Sequence, residues 1–207
     1  MSVDAMALAL WAKTGEPPLL LLAHMLDTAA VAQEVLYREP PRTRALYAKD
    51  WGLPVEDAVA WVSFLAGLHD IGKASTVFQA GWREGALRVR EAGLPLEEGL
   101  DWIAHGVFTE LFLKRLLREE GLAERAANDL AAALGAHHGF PASGEEKKRA
   151  RRQLMGEDHL WWQARRFLLE ELSGRLGAFL PQLEGNGEAT PEAVLRVMAL
   201  ASFADWV

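Results

Sequence analysis

Apolar residues recur along this chain at three- and four-residue steps, punctuated by glycine and proline, and that period predicts helices almost throughout. The run LLAHMLDTAAVAQEVLY predicts a helix from about Leu19 to Tyr37, ended by Glu39-Pro40-Pro41. A second begins after Pro54. Its apolar residues Val55, Val59, Val62, Leu65 and Ala66 keep helical spacing, and it delivers His69 and Asp70 at its C-terminal end, just before Gly72. Ser75 to Arg83 predicts a short helix. Gly85 to Gly99 mixes glycine, Pro95 and charge, and is expected to be an excursion with one short β-hairpin near residues 86–99, through Leu87-Arg88-Val89. Asp101 to Glu120 predicts a helix stopped by Gly121, with His105 near its start. Leu122 to Ala136 predicts another, which presents His137 and His138 before Gly139 and Pro141 break it.

Ser143-Gly144-Glu145-Glu146 has the spacing of a capping box and opens a helix carrying Lys147, Lys148, Arg149, Arg151 and Arg152. A long helix is expected over Asp158 to Leu180, and a loop at Gly185-Asn186-Gly187. The last helix starts at Thr190 as N-cap with Pro191 in its first turn, and contains Asp205. The predicted class is all-α. The final helix has no cap and stays apolar to Val207, so the chain is expected to be the front part of a longer polypeptide.

Composition narrows this picture. At 207 residues the chain suits one domain with a substantial core. Its formal net charge of −7 supplies no global basic field, which argues against a pure nucleic-acid-binding module. A nuclease stays open, because divalent ions and a local basic stretch attract phosphates. There is no cysteine, so disulfides, zinc fingers and thiol catalysis are excluded, and a reducing cytoplasm fits. The N-terminus has no positive leader and does not resemble a secretory signal. The stretch from Leu19 to Ala32 is too short for a bilayer and is interrupted by His24 and Asp27.

Five of the six histidines fall in four short clusters: LLAHMLD (His24), GLHDIGK (His69, with Asp70), IAHGVF (His105) and GAHHGFP (His137 and His138). The end adds SFADWV, with Asp205. Each imidazole inside an apolar helix needs a hydrogen-bond partner or a metal. One such ring alone is ordinarily a satisfied core residue. Five together with two aspartates point to one polynuclear metal site built from facing helices. His69 and Asp70 are adjacent, so their side chains diverge, and one carboxylate can bridge two ions. Imidazole-rich sites with carboxylates suit a divalent transition metal (manganese, iron, cobalt, nickel or zinc) better than calcium.

The remaining candidates have plainer readings beside them. Lys73 either contacts a phosphate or caps the helix that ends at Asp70. The basic run from Lys147 to Arg152 either binds nucleic-acid phosphates or forms a solvated face paired with Glu145 and Glu146. Among eight tryptophans, Trp82 and Trp206 are the candidates for base stacking. Asp27 reads as a surface residue and His159 as an exposed helix start.

The pattern H…HD…H…HH…D resembles the HD superfamily of metal-dependent phosphohydrolases. HDIGK, the GAHHG doublet, the late ADW and the segment LHDIGKASTVFQ are similar to one branch, the HD nuclease domain of the CRISPR-associated helicase-nuclease of type I systems. The similarity runs from His24 to Trp206 and implies an HD-domain helical bundle over residues 1–207. It implies two ions, one held by His24, His69, Asp70 and Asp205, the other by Asp70, His105, His137 and His138. Asp70 and Lys73 would act in catalysis, Lys73 near the scissile phosphate. The implied reaction is hydrolysis of single-stranded DNA, the displaced strand of an R-loop, by metal-activated water. Implied partners are a helicase domain, in the same or a separate chain, and a CRISPR RNA-guided surveillance complex. No G-x-x-x-x-G-K-[ST] loop occurs here, so these residues are not expected to unwind duplex DNA by themselves. The competing readings are an HD phosphohydrolase acting on nucleotides or cyclic dinucleotides, and a helical scaffold whose metals only hold it together.

Overall fold

A computed structural model describes residues 2–97, 99–178 and 189–207. They form α1 (Val3–Leu8), β1 (Trp11–Lys13), β2 (Leu19–Leu20), α2 (Leu21–Arg38), α3 (Pro41–Trp51), α4 (Val55–Gly67), α5 (Thr76–Gln79), α6 (Arg83–Glu91), α7 (His105–Glu119), α8 (Glu124–Gly135), α9 (Gly144–Gln153), α10 (His159–Leu176) and α11 (Pro191–Trp206). A 3-10 turn, Leu68–Lys73, continues α4, and a second follows α9 at Leu154–Gly156. The described residues form the all-α bundle that the sequence predicts, with one small sheet. The expected loop at Gly185-Asn186-Gly187 lies outside the described residues.

The core holds the bundle through apolar stripes that meet between helices. α2 packs along α4 and α7 along α8, while α11 lies across α4, α8 and α2. Trp51, Trp61, Trp161 and Phe108 are fully buried among leucine, valine and alanine. The α7–α8 contact is unusually close. A Cβ on Gly106 would stand 2.3 Å from the Gly135 carbonyl oxygen, so the two glycines allow the backbones to touch. That contact brings the start of α7, with His105, beside the end of α8, with His137.

Three sequence expectations need correction. The hairpin expected near residues 86–99 is not there: the segment begins as α6, which buries Ala86 and Val89 one turn apart and leaves Leu87 exposed. The alternation of Leu87 and Val89 mimics a strand only because Ala86 is too small to register as the apolar position. The antiparallel pair instead joins β1 to β2, with Trp11 opposite Leu20. Helix α3 goes unpredicted because it buries little, chiefly Tyr47 and Trp51, and its other positions are charged or exposed. Finally, His69 and Asp70 do not lie on α4 itself but on the tighter 3-10 turn after it. No described helix is long and apolar enough to cross a membrane.

Candidate metal centre

Each side chain of the centre is placed by a different packing event. His24 sits in the first turn of α2, on its buried face. The 3-10 turn carries His69 and Asp70 and is pressed against α7. A Cβ on Gly72 would meet the His105 carbonyl oxygen at 2.1 Å, so only glycine permits this approach. Thr109, on α7, stitches the contact: its hydroxyl donates to the His69 carbonyl at 2.8 Å and accepts from Gly72 N at 3.0 Å. His105 opens α7, and His137 and His138 follow α8. The Ser202 hydroxyl, one turn before Asp205 on α11, donates to the His137 carbonyl at 2.9 Å.

The donor atoms form two groups. His24, His69, Asp70 and Asp205 can place one donor each within 4.8 Å of one another, and so can His105, His137 and His138. The Asp70 carboxylate lies between them. Its Oδ2 is 2.8 Å from His24 Nε2 and 3.4 Å from His69 Nε2, whereas its Oδ1 is 2.8 Å from His105 Nε2 and 3.6 Å from His137 Nε2. Asp205 Oδ1 lies 3.3 Å from His24 Nε2 and 3.4 Å from His69 Nε2. Donors bound at roughly 2.0–2.2 Å from a shared ion sit about 3–3.5 Å apart, the same range.

The ring orientations and the unmet bonds both fit cations. His69 Nδ1 donates to the Ala66 carbonyl at 2.8 Å and His137 Nδ1 to the Leu134 carbonyl at 2.6 Å. Each bond leaves Nε2 to face the centre, the arrangement by which a backbone carbonyl orients a ligating imidazole. Buried His69 Nε2, His105 Nε2, His137 Nε2 and Asp70 Oδ1 have no hydrogen-bond partner among the described residues. Buried polar atoms left unmatched cost about 1–3 kcal/mol each, so four converging on one space argue for ions that satisfy them together. Nitrogen and carboxylate donors suit a divalent transition metal.

Charge is uneven across the centre. Burial would lower the His69 pKa, but the Asp70 and Asp205 carboxylates overcome it and raise the value to about 9. Burial would raise Asp70, but the His69 charge and the close His105 and His24 rings hold it well below the usual carboxylate range. Contacts from His24 and His69 lower Asp205 in the same way. His137 is pushed down to about 4 by burial and by the His69 charge, and His138 is lowered by burial and His105.

Lys73 is buried, with Nζ 2.5 Å from Asp70 Oδ2 and 5.5 Å from the centre of the Phe78 ring. It therefore belongs to the centre rather than to a surface helix end. The turn that carries it is tied down by residues the sequence does not single out for this role. Gln79 Nε2 donates to the Lys73 carbonyl at 2.9 Å and to the Trp11 carbonyl at 2.8 Å. Arg165 Nε donates to the Ala74 carbonyl at 2.8 Å, and Glu157 Oε1 accepts from Thr76 N at 2.9 Å. Arg165 and Glu157 also form a buried ion pair. Gln79 is visible in the sequence only as part of the FQ similarity. Arg165 and Glu157 leave no local signal, since they lie 91 and 81 residues from their backbone partners.

The other candidates lie outside the centre. In the basic run, Lys147 pairs with Glu110 at 2.8 Å, Arg149 with Asp101 at 3.7 Å and Arg152 with Glu145 at 3.6 Å. Lys148 and Arg151 are exposed without an ion-pair partner among the described residues. Trp82 is half-buried and packs edge-on against Trp11, whereas Trp206 is exposed. Asp27 and His159 are exposed and take no part.

Comparison with known proteins identifies the family. The family described as "Cas3, HD domain" matches residues 11–207. The chain is 74% identical, over its full 207 residues, to the CRISPR-associated endonuclease/helicase Cas3 of Thermus thermophilus, and spans 22% of that protein's length. It is similar to the crystal structure of the Thermus thermophilus cas3 HD domain in the presence of Ni2+, with 66% identity and a TM-score of 0.79, covering 98% of this chain and 76% of that one. It also resembles a chain in a CRISPR RNA-guided surveillance complex, pre-nicking, at 27% identity and a TM-score of 0.75, covering 96% of this chain and 24% of that one.

Proposed function

This chain belongs to the Cas3 HD-domain family, and on that premise we propose that it is a metal-dependent nuclease domain that hydrolyses phosphodiester bonds of single-stranded DNA in CRISPR interference. The observation that carries the reading is Asp70, whose two carboxylate oxygens face two separate groups of imidazole nitrogens. In this reading His24, His69, Asp70 and Asp205 hold one divalent ion. His105, His137 and His138 hold a second, with Asp70 shared. Such ions supply an acidified water and charge stabilisation at the phosphorus.

The chain's own residues do the rest. The backbone bonds to Ala66 and Leu134 turn Nε2 of His69 and His137 toward the centre. The Lys73 ammonium, held on Asp70, offsets negative charge beside the scissile phosphate. Lys148 and Arg151, the unpaired members of the basic run, attract the backbone of the approaching strand. By analogy with the relatives above, the domain works as part of a longer helicase–nuclease. The helicase feeds it the strand, a surveillance complex recruits it, and the cytoplasm is where it meets DNA.

The test is incubation with Mn2+ and three substrates: single-stranded DNA, duplex DNA and a panel of nucleotides and cyclic dinucleotides. Cleavage of the single strand in preference to the duplex is expected. Turnover of the nucleotides with the strand left intact would overturn the reading in favour of a nucleotide phosphohydrolase. Undiminished cleavage after chelation would do the same for any metal-dependent reading.

A further inference from the structure

Hydrophobic side chains exposed singly are common, but large exposed aromatics beside a reactive centre call for a partner. Of the eight tryptophans, six are buried or half-buried, and only Trp102 (75% exposed) and Trp206 (83%) stand in solvent. Phe140 is 84% exposed. Their places in the chain are informative. Trp102 precedes His105 by three residues, and Phe140 follows His138 by two. Successive Cα atoms are about 3.8 Å apart, so these backbones lie within about 11 Å and 8 Å of their histidines.

The two histidines mark the open side of the centre. His24, His69 and Asp70 are buried, whereas His105 is half-buried and His138 exposed. The His105 and His138 rings are 5.2 Å apart. The segment leading into His105 therefore carries one exposed aromatic, and the segment leaving His138 carries the other. Trp102 is steadied by its neighbour Ile103, which is buried. It also lines a groove with Val77, Leu87, Arg83 and Arg90, where Glu97 is the one acidic lining residue among the described residues. Phe78, which follows Val77 on α5, has its ring 5.8 Å from that of His105. Trp206 is a different case. It shares a helix face with Phe203, one turn away, and neighbouring helical side chains diverge, so it turns from Asp205.

We infer that Trp102 and Phe140 are base-stacking residues on either side of the metal centre's mouth, and that they hold the nucleotides flanking the cleaved bond. Flat rings take any base, so they grip a single strand without reading its sequence, and paired bases in a duplex cannot reach them. The groove beyond Trp102, lined by Arg83, carries the strand's phosphates away from the centre. This inference rests on the nuclease reading above and adds the residues that select the substrate.

The test compares the chain with its Trp102→Ala and Phe140→Ala variants, each charged with Mn2+. Three substrates are used: a single-stranded oligonucleotide, the same strand with abasic sites, and bis(p-nitrophenyl) phosphate, which has no base. Each substitution is expected to lower the preference for the oligonucleotide over the small diester about tenfold. The abasic strand should show little difference between variant and parent, and metal content should match. Strand affinity, read by fluorescence anisotropy with and without Mn2+, should fall in step, which keeps the test independent of turnover. An unchanged preference, or equal losses on the abasic strand, overturns the inference and assigns the rings to a protein contact. A parent chain that binds the strand through these rings yet cleaves nothing would instead sink the nuclease reading and leave the stacking role intact.

Discussion

The inner and outer halves of the centre use the same kinds of side chain under opposite conditions. The inner half, His24, His69, Asp70 and Asp205, is built on α2, the 3-10 turn and α11, and three of its four members are buried. It holds both carboxylates, and the His69 pKa is raised to about 9. The outer half, His105, His137 and His138, stands at the helix ends, contains no carboxylate of its own and opens to solvent at His138. Its His137 is pushed down to about 4. The same imidazole is thus poised to carry a proton in one half and to stay neutral in the other. The difference follows from the two carboxylates beside His69, and from burial and the neighbouring His69 charge at His137.

Three experiments press on that contrast. The largest effect is expected from Asp70→Ala, which removes the one group shared by both halves. Cleavage of single-stranded DNA should fall to background and both ions should be lost from metal analysis. Retained turnover would mean that the two halves work separately and that the bridge is misassigned.

A smaller effect separates the halves. His69→Ala should weaken metal binding more than His138→Ala, because it removes a buried donor whose ring is already oriented by a backbone bond. Titration with Ni2+ should then show one weakened site in each variant, with the exposed His138 the milder loss. Equal weakening would erase the distinction between a retained and an exchangeable ion.

The smallest effect is in protons. His69, raised to about 9, is protonated at pH 7 and must lose its proton before Nε2 can bind an ion, whereas His137, lowered to about 4, is neutral already. Filling the inner half should therefore release about one proton from this ring, with apparent affinity rising as pH goes from 7 to 9. Filling the outer half should release little from His137. Calorimetry in two buffers of different ionisation enthalpy reads this directly, and equal release from both steps would break the comparison.

Much of this centre was visible along the chain because its donors are locally marked. The doublet His69-Asp70, the pair His137-His138 and the basic Lys73 each announce themselves within a few residues. His24 and Asp205 are recognisable only as polar residues inside apolar helical runs, and their meeting with Asp70 depends on α2 and α11 both packing against α4. Helix α3 escaped notice for want of an apolar stripe, and the strand reading of Leu87-Arg88-Val89 failed because alanine counted for too little. Thr109, Arg165 and Glu157 could not be read at all. A threonine on a helix face or an arginine in a long helix looks like any other until its partner is known.

The order of residues by itself determined the helical class and the kinds of donor present. Periodicity is a local property, and imidazole and carboxylate chemistry travels with the residue. Only the tertiary structure decided that one Asp70 oxygen faces each histidine group and that Asp205 meets His24 and His69. Those relations join positions tens of residues apart. They exist because close-packed helices, with glycines at Gly72, Gly106 and Gly135 allowing contact, leave each side chain one place to go.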